Sequence, residues 1–210
     1  MPPIADLRVK KRRFPDPVWD GPGKRIRHVV IHEKERYAVY AVEMPEGPRT
    51  ISYAHTPYRL FFPWHYFFIK VRWLEAPVVP SDAGAYVFFA KRQAASIDDK
   101  VLRRPFLPNL FAETGICLDH MRLFSRRTAK ETLGDFVRWF YRSNGSSFFE
   151  KYEPKGHEQN FSFNRWAAMS EKEAKALQWP KATYPSIREA AENLNFKYWE
   201  RSKPWQRVDF

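Results

Sequence analysis

The chain of 210 residues holds a single cysteine, Cys117. It lies between Ile116 and Leu118, two positions after Gly115 and eight after Asn109, within the stretch Pro105–Asp119. As an exposed thiolate, a cysteine is a nucleophile that can hold an acyl group as a thioester. As a buried thiol it is a small apolar filler, because free cysteine is among the most buried residue types. The aliphatic neighbours suit both roles, and solvent exposure separates them. His120, three residues further on, is a weak partner, since Cys/His dyads are not assembled from such local pairs. His28, His32, His55, His65 and His157 are scattered, and one cysteine builds no zinc site with them, so neither a metal nor a cofactor is expected. No P-loop or dinucleotide fingerprint is present. Asp98-Asp99 and the pair Glu171/Glu173 read as solvated faces.

The elements that must position Cys117 come in two blocks. Upstream, Arg36–Glu43 is rich in aromatic and β-branched residues, Pro45–Pro48 carries turn chemistry, and Thr50–Tyr53 resumes the strand pattern. Phe61–Trp73 is the most apolar part, with Pro63 marking a bulge or an edge and Lys70 and Arg72 on alternate positions. Ala85–Ala90 reads as a buried strand, and Lys91–Lys100 as a polar stretch with a short helical turn. Downstream, Thr128-Ala-Lys-Glu131 is a capping box, followed by Leu133, Phe136, Val137 and Phe140 at helical spacing, with Asn144-Gly145 as the stop. Residues 143–168 read as a loop. Ser170–Glu173 and Ser186–Glu189 repeat the capping pattern, and Ile187, Ala190, Ala191, Leu194 and Tyr198 share one face of the last helix. The expected fold is α+β: an antiparallel meander, the Cys117 segment after it, and helices packed behind. Three parts follow: a basic proline-rich arm over residues 1–28, an α+β core over 29–145, and an aromatic loop with a helical extension over 146–210.

Pro108-Asn109-Leu110, a short linker, and Gly115-Ile-Cys-Leu-Asp119 resemble the active-site segment of the ubiquitin-conjugating (UBC-like) family. That family has His-Pro-Asn, a glycine-bearing turn and Ile/Val-Cys-Leu, with the same separation of asparagine and cysteine. Prokaryotic, phage- and plasmid-encoded relatives carry a Leu-Pro-Asn version, among them the B proteins of PRTRC systems. The resemblance spans roughly Tyr66–Arg142. It implies that Cys117 accepts a ubiquitin-like C-terminus as a thioester and that Asn109 supports the tetrahedral oxyanion. It also implies an activating enzyme and a ubiquitin-like modifier as partners. The sequence differs from the family pattern in that Leu107 stands for the histidine, Gly115 lies one residue nearer the cysteine, and Arg126-Arg127-Thr128 replace a tryptophan-proline element. Asp119 and Glu150 are candidates for the family's acidic residue.

The formal charge of +12 favours encounters with polyanions such as nucleic acid or an acidic protein face. Lys10, Lys11, Arg12, Arg13, Lys24, Arg25 and Arg27 concentrate that charge in the arm, and Lys70-Val-Arg-Trp73 and Arg138–Arg142 set aromatics beside basic residues. The alternative to a conjugating enzyme is therefore a non-catalytic protein of the same fold, binding nucleic acid or assembling on a virion or plasmid. No leader or bilayer-length apolar run is found, so the expected setting is the cytoplasm, that of the host if phage-encoded, with no membrane partner.

Overall fold

The computed structural model describes residues 25–32, 37–73, 77–79, 84–110, 114–116, 124–125, 128–145, 153–158 and 160–194. The protein is α+β. Strands β1 (Arg25–His32), β2 (Tyr37–Met44) and β5 (Trp64–Trp73) pair antiparallel in that order. Two strands then line the far side of β5: β7 (Ala85–Ala90) along Trp64–Ile69, and β6 (Pro77–Val79) along Arg72–Trp73. The short β8 (Leu102–Arg103) and β9 (Phe124–Ser125) extend β7 and β6.

The apolar runs in β2, β5 and β7 are nearly continuous because this sheet is covered on both faces. Period-two alternation sends Ala38, Tyr40, Val42, Phe67, Ile69, Val87 and Phe89 to one core and Tyr37, Val39, Tyr66, Phe68, Tyr86 and Phe88 to the other. Over the first face lies helix α1 (Ala129–Arg142), which buries Leu133, Phe136, Val137 and Phe140 as its spacing predicts. Over the second lies α4 (Ile187–Asn193), with Ile187, Ala190, Ala191 and Leu194 buried; Tyr198 is outside the described residues. Helices packed behind a single face were expected. The sheet is instead a middle layer, and each fully buried phenylalanine in it contributes about 1.5–3 kcal/mol.

The meander is also interrupted. After β2 the chain leaves the sheet as a hairpin, β3 (Gly47–Tyr53) and β4 (Thr56–Phe62), and returns as β5, so that β2 pairs with β5. Gly47 adopts φ of 146°, a backbone that favours glycine where the chain turns out of the sheet. Pro63, between β4 and β5, marks the crossing back. The hairpin pairs with β10 (Asn144–Gly145), a parallel two-residue contact at Ser52 and Tyr53. α1 thus stops at Arg142, but Gly145 serves as a strand residue and not as a left-handed cap.

All three capping boxes are present. Thr128 Oγ1 accepts from the Glu131 amide at 3.2 Å while Glu131 accepts from the Thr128 amide at 3.1 Å; Ser170/Glu173 and Ser186/Glu189 do likewise at α3 (Glu171–Ala176) and α4. Within the expected loop 143–168 there is a further helix, α2 (Phe163–Ala168), capped by Ser162. Its Trp166 is 1% exposed and donates through Nε1 to the Phe61 carbonyl at 3.2 Å, meeting a carbonyl of edge strand β4. Phe161, Phe163, Trp166 and Trp179 join the α1-side core. Lys91–Lys100 contains turns and no helix. No helix among the described residues is long and apolar enough to cross a membrane.

Candidate functional site

Phe106 and Leu107 are buried in the α1-side core, Phe106 edge-on to Phe161 at 5.1 Å. Leu107 is therefore held by apolar packing. The chain then turns at Pro108 and Asn109, and Asn109 takes φ of 56°. Asparagine tolerates this left-handed region better than most residues, which is a structural reason for its presence here. Leu110 and Ile116 form an antiparallel bridge, Gly115 bridges Tyr86, and the Ile116 amide donates to the Ala85 carbonyl at 2.9 Å. This loop is pinned against the start of β7. Thr114 within it is fully buried with φ of 66°, a costly backbone for a β-branched residue.

Across from this turn lie β3 and the end of α1. Ile51 and Ser52, Leu107 to Asn109, Ile116, Trp139 and Phe140, and Ser143 and Gly145 together line a crevice of about 20 Å³, room for one water molecule. Among its polar positions, Ser143 donates its hydroxyl to the Phe140 carbonyl at 2.9 Å. The structure thus brings Asn109 and Ile116, the residue before Cys117, to one crevice. Among the described residues the non-glycine positions with positive φ are Ala54, His55, Asn109 and Thr114. Asn109 lines the crevice, Thr114 lies two residues before Ile116, and Ala54 donates to the Gly145 carbonyl at 2.8 Å. Backbone strain is concentrated in the two loops that flank it.

Cys117, Asp119, His120, Glu150, Lys10, Lys11, Arg12, Arg13 and Lys24 lie outside the described residues. Arg25 begins β1 opposite Glu43, so the sheet starts inside the expected arm. Arg27 sits at a register shift between Ile26 and His28. Its guanidinium contacts Glu43 at 3.2 Å and the Ala94 carbonyl at 2.8 Å, so its charge is compensated within the fold. Members of the two basic-aromatic stretches also make contacts within the fold. Lys70 is 1% exposed with its ammonium 4.8 Å from the centre of the Tyr37 ring, Phe140 is core, and Arg138 pairs with Asp135.

One polar cluster was not legible as such. His65 is fully buried; its Nδ1 donates to the Pro63 carbonyl at 2.8 Å, which leaves Nε2 to accept from the Tyr141 hydroxyl. Burial pushes His65 down to about 3, and the nearby Arg49 acts in the same direction. Burial likewise raises the Tyr141 hydroxyl. A histidine so held is neutral near pH 7 and is no proton shuttle; it ties the last turn of α1 to the β4–β5 crossing. The signal in the sequence is alternation, which puts His65 on the face of Phe67 and Ile69. Among the described residues no group of three or more metal-ligating side chains is found.

No family model, curated protein or solved structure matches the chain.

Proposed function

We propose that this chain is a UBC-like protein of the prokaryotic, phage or PRTRC B type that accepts a ubiquitin-like C-terminus on Cys117, in the cytoplasm in which it is made. The observation that carries this reading is the shared crevice of Asn109 and Ile116. The Cys117 thiolate attacks the activated carbonyl, a sulfur–carbon bond forms, and the leaving thiolate of an activating enzyme departs with its electron pair. An acceptor amine later attacks the thioester, loses a proton and displaces the Cys117 thiolate. Negative charge on the carbonyl oxygen during each attack calls for a fixed donor, and the Asn109 amide supplies it. Supporting the family reading is the order of elements: antiparallel strands, the Pro108-Asn109 turn, the Cys117 stretch and a capped amphipathic helix. The test is incubation with an activated ubiquitin-like protein. A thiol-cleavable adduct present in the wild type and absent in Cys117→Ser is expected; no adduct in either sinks the proposal.

A second reading is a non-catalytic basic protein of the same fold. It is favoured by the left-handed backbone of Asn109, which accounts for that residue without chemistry, and by the charge of +12. Its mark is that Cys117→Ser is silent while charge reversal at Lys10, Lys11, Arg12 and Arg13 abolishes binding to duplex DNA or to an acidic protein. Thiol labelling of the folded protein separates the two, because only an exposed Cys117 can serve as an acceptor.

A further inference from the structure

Gly145 lies against the turn that carries Asn109. Its backbone conformation is ordinary for any residue, so torsion does not demand glycine there. Space does. A Cβ on Gly145 would fall 2.5 Å from Pro108 Cβ and closer still to Pro108 Cγ. The approach is fixed from three directions. Asn144 and Gly145 pair with Ser52 and Tyr53, the Ala54 amide donates to the Gly145 carbonyl at 2.8 Å, and the His65–Tyr141 bond anchors the helix end from which this strand leaves. The hairpin tip that supplies the Ala54 amide is itself strained, with φ of 47° at Ala54 and 64° at His55. Leu107 is buried and supplies no hydrogen bond from its side chain, so its own contribution to the turn is packing.

We infer that Gly145 is a positioning residue: the α1 exit, held down by the β3–β4 hairpin, presses on Pro108 and sets the Asn109 turn. The contact is one of backbone against ring, Gly145 on Pro108. The inference rests on the role given above to Asn109 and Cys117, but the geometry it asserts is testable without that role. It makes the hairpin part of the site's support, although among the described hairpin residues only Ile51 and Ser52 line the crevice.

A double-mutant cycle with Gly145→Ala and Pro108→Gly tests it, because the second change removes both atoms that the new methyl would meet. Two quantities are read: the NMR resonances of Asn109, with those of Ala190 and Ala191 in α4 as a distant control, and the rate of adduct formation on Cys117. Gly145→Ala is expected to shift the Asn109 resonances, spare the α4 controls and slow adduct formation at least tenfold. In the Pro108→Gly background the same methyl is expected to change neither. An unchanged Asn109 in the single variant, or an equal effect in both backgrounds, overturns the inference. If Gly145→Ala alone does not fold, a folded double variant supports the contact and an unfolded one overturns it. If the wild type forms no adduct, the functional proposal falls, and the Asn109 resonances alone decide this one.

Discussion

Two connections leave neighbouring strands and are held in different ways. The link from β7 to β8, Lys91–Val101, is tied by polar bonds. Gln93 donates to Glu43 at 3.0 Å, the Ala94 amide donates to the Tyr66 hydroxyl at 3.0 Å, Arg92 pairs with Asp99 and Arg188 pairs with Asp98. The Arg188 hydrogen bond holds the Asp98 carboxyl below its usual range, and the Ala95 amide followed by Arg92 does the same for Asp99. At its base Glu43, 1% exposed, accepts from Arg27, Tyr66 and Gln93. None of its residues is a positive-φ non-glycine. The segment Pro105–Ile116 instead has apolar anchors in Phe106, Leu107 and Leu110 and left-handed backbone at Asn109 and Thr114. The contrast teaches where each kind of constraint is useful. A satisfied buried network is stiff and specific, whereas strained backbone persists only where surrounding packing overdetermines it, a condition common at functional sites.

Breaking the first connection should have the largest effect. Glu43→Ala removes the shared acceptor and leaves a partly buried guanidinium, a phenol and an amide without it; a loss of about 3 kcal/mol is expected in urea unfolding. The Asn109 resonances should be unmoved, and a shift there would show that the two connections are coupled. At the second connection, Asn109→Gly retains the left-handed backbone and removes the amide. Stability should change by less than about 0.5 kcal/mol while thioester formation falls about a hundredfold. A variant that loses stability but keeps its rate would reverse the assignment and make Asn109 a purely structural residue.

The anchor shared by α1 and the β4–β5 crossing sharpens the comparison through pH. Because His65 in the fold binds its proton only near pH 3, against 6.5 when unfolded, the unfolded chain holds more protons between those values. Stability from this group is complete above pH 6.5 and declines as pH falls toward 3, by about 1.4 kcal/mol per unit. His65→Leu should flatten that slope and cost about 2 kcal/mol at pH 7, since the Tyr141 hydroxyl loses its acceptor. Unfolding midpoints across pH 4–7 check both, and an unchanged slope would refute the buried neutral state. The smallest effect is expected at the hairpin tip. The double substitution Ala54→Asn and His55→Gly suits a turn with both central residues at positive φ and should stabilise by about 1 kcal/mol in thermal unfolding.

Much of the scaffold was legible because its signals are local. The boxes at Thr128, Ser170 and Ser186 need partners only three residues away, and the α1 stripe repeats within the helix. Ser162 escaped notice because Arg165, three residues on, contributes no acidic partner and the helix it opens is six residues long. The candidate site was legible only in part. The resemblance linked Asn109 to Cys117, but the crevice that Asn109 shares with Ile116 depends on β3 and the α1 exit, distant segments brought there by the hairpin. Arg27 looked like part of a basic arm because charge composition carries no register, and only the displaced pairing beside Ile26 puts it at Glu43.

By itself, then, the sequence determined the long strands β2, β5 and β7 and the boxed helices α1, α3 and α4, since period-two alternation and i to i+3 hydrogen bonds are properties of short stretches. The tertiary structure decided that the sheet is covered twice, that β3–β4 leaves it, and that Gly145 meets Pro108. These are contacts between residues far apart in the chain. Their geometry follows from how whole layers pack, and no local pattern of residue types encodes that distance.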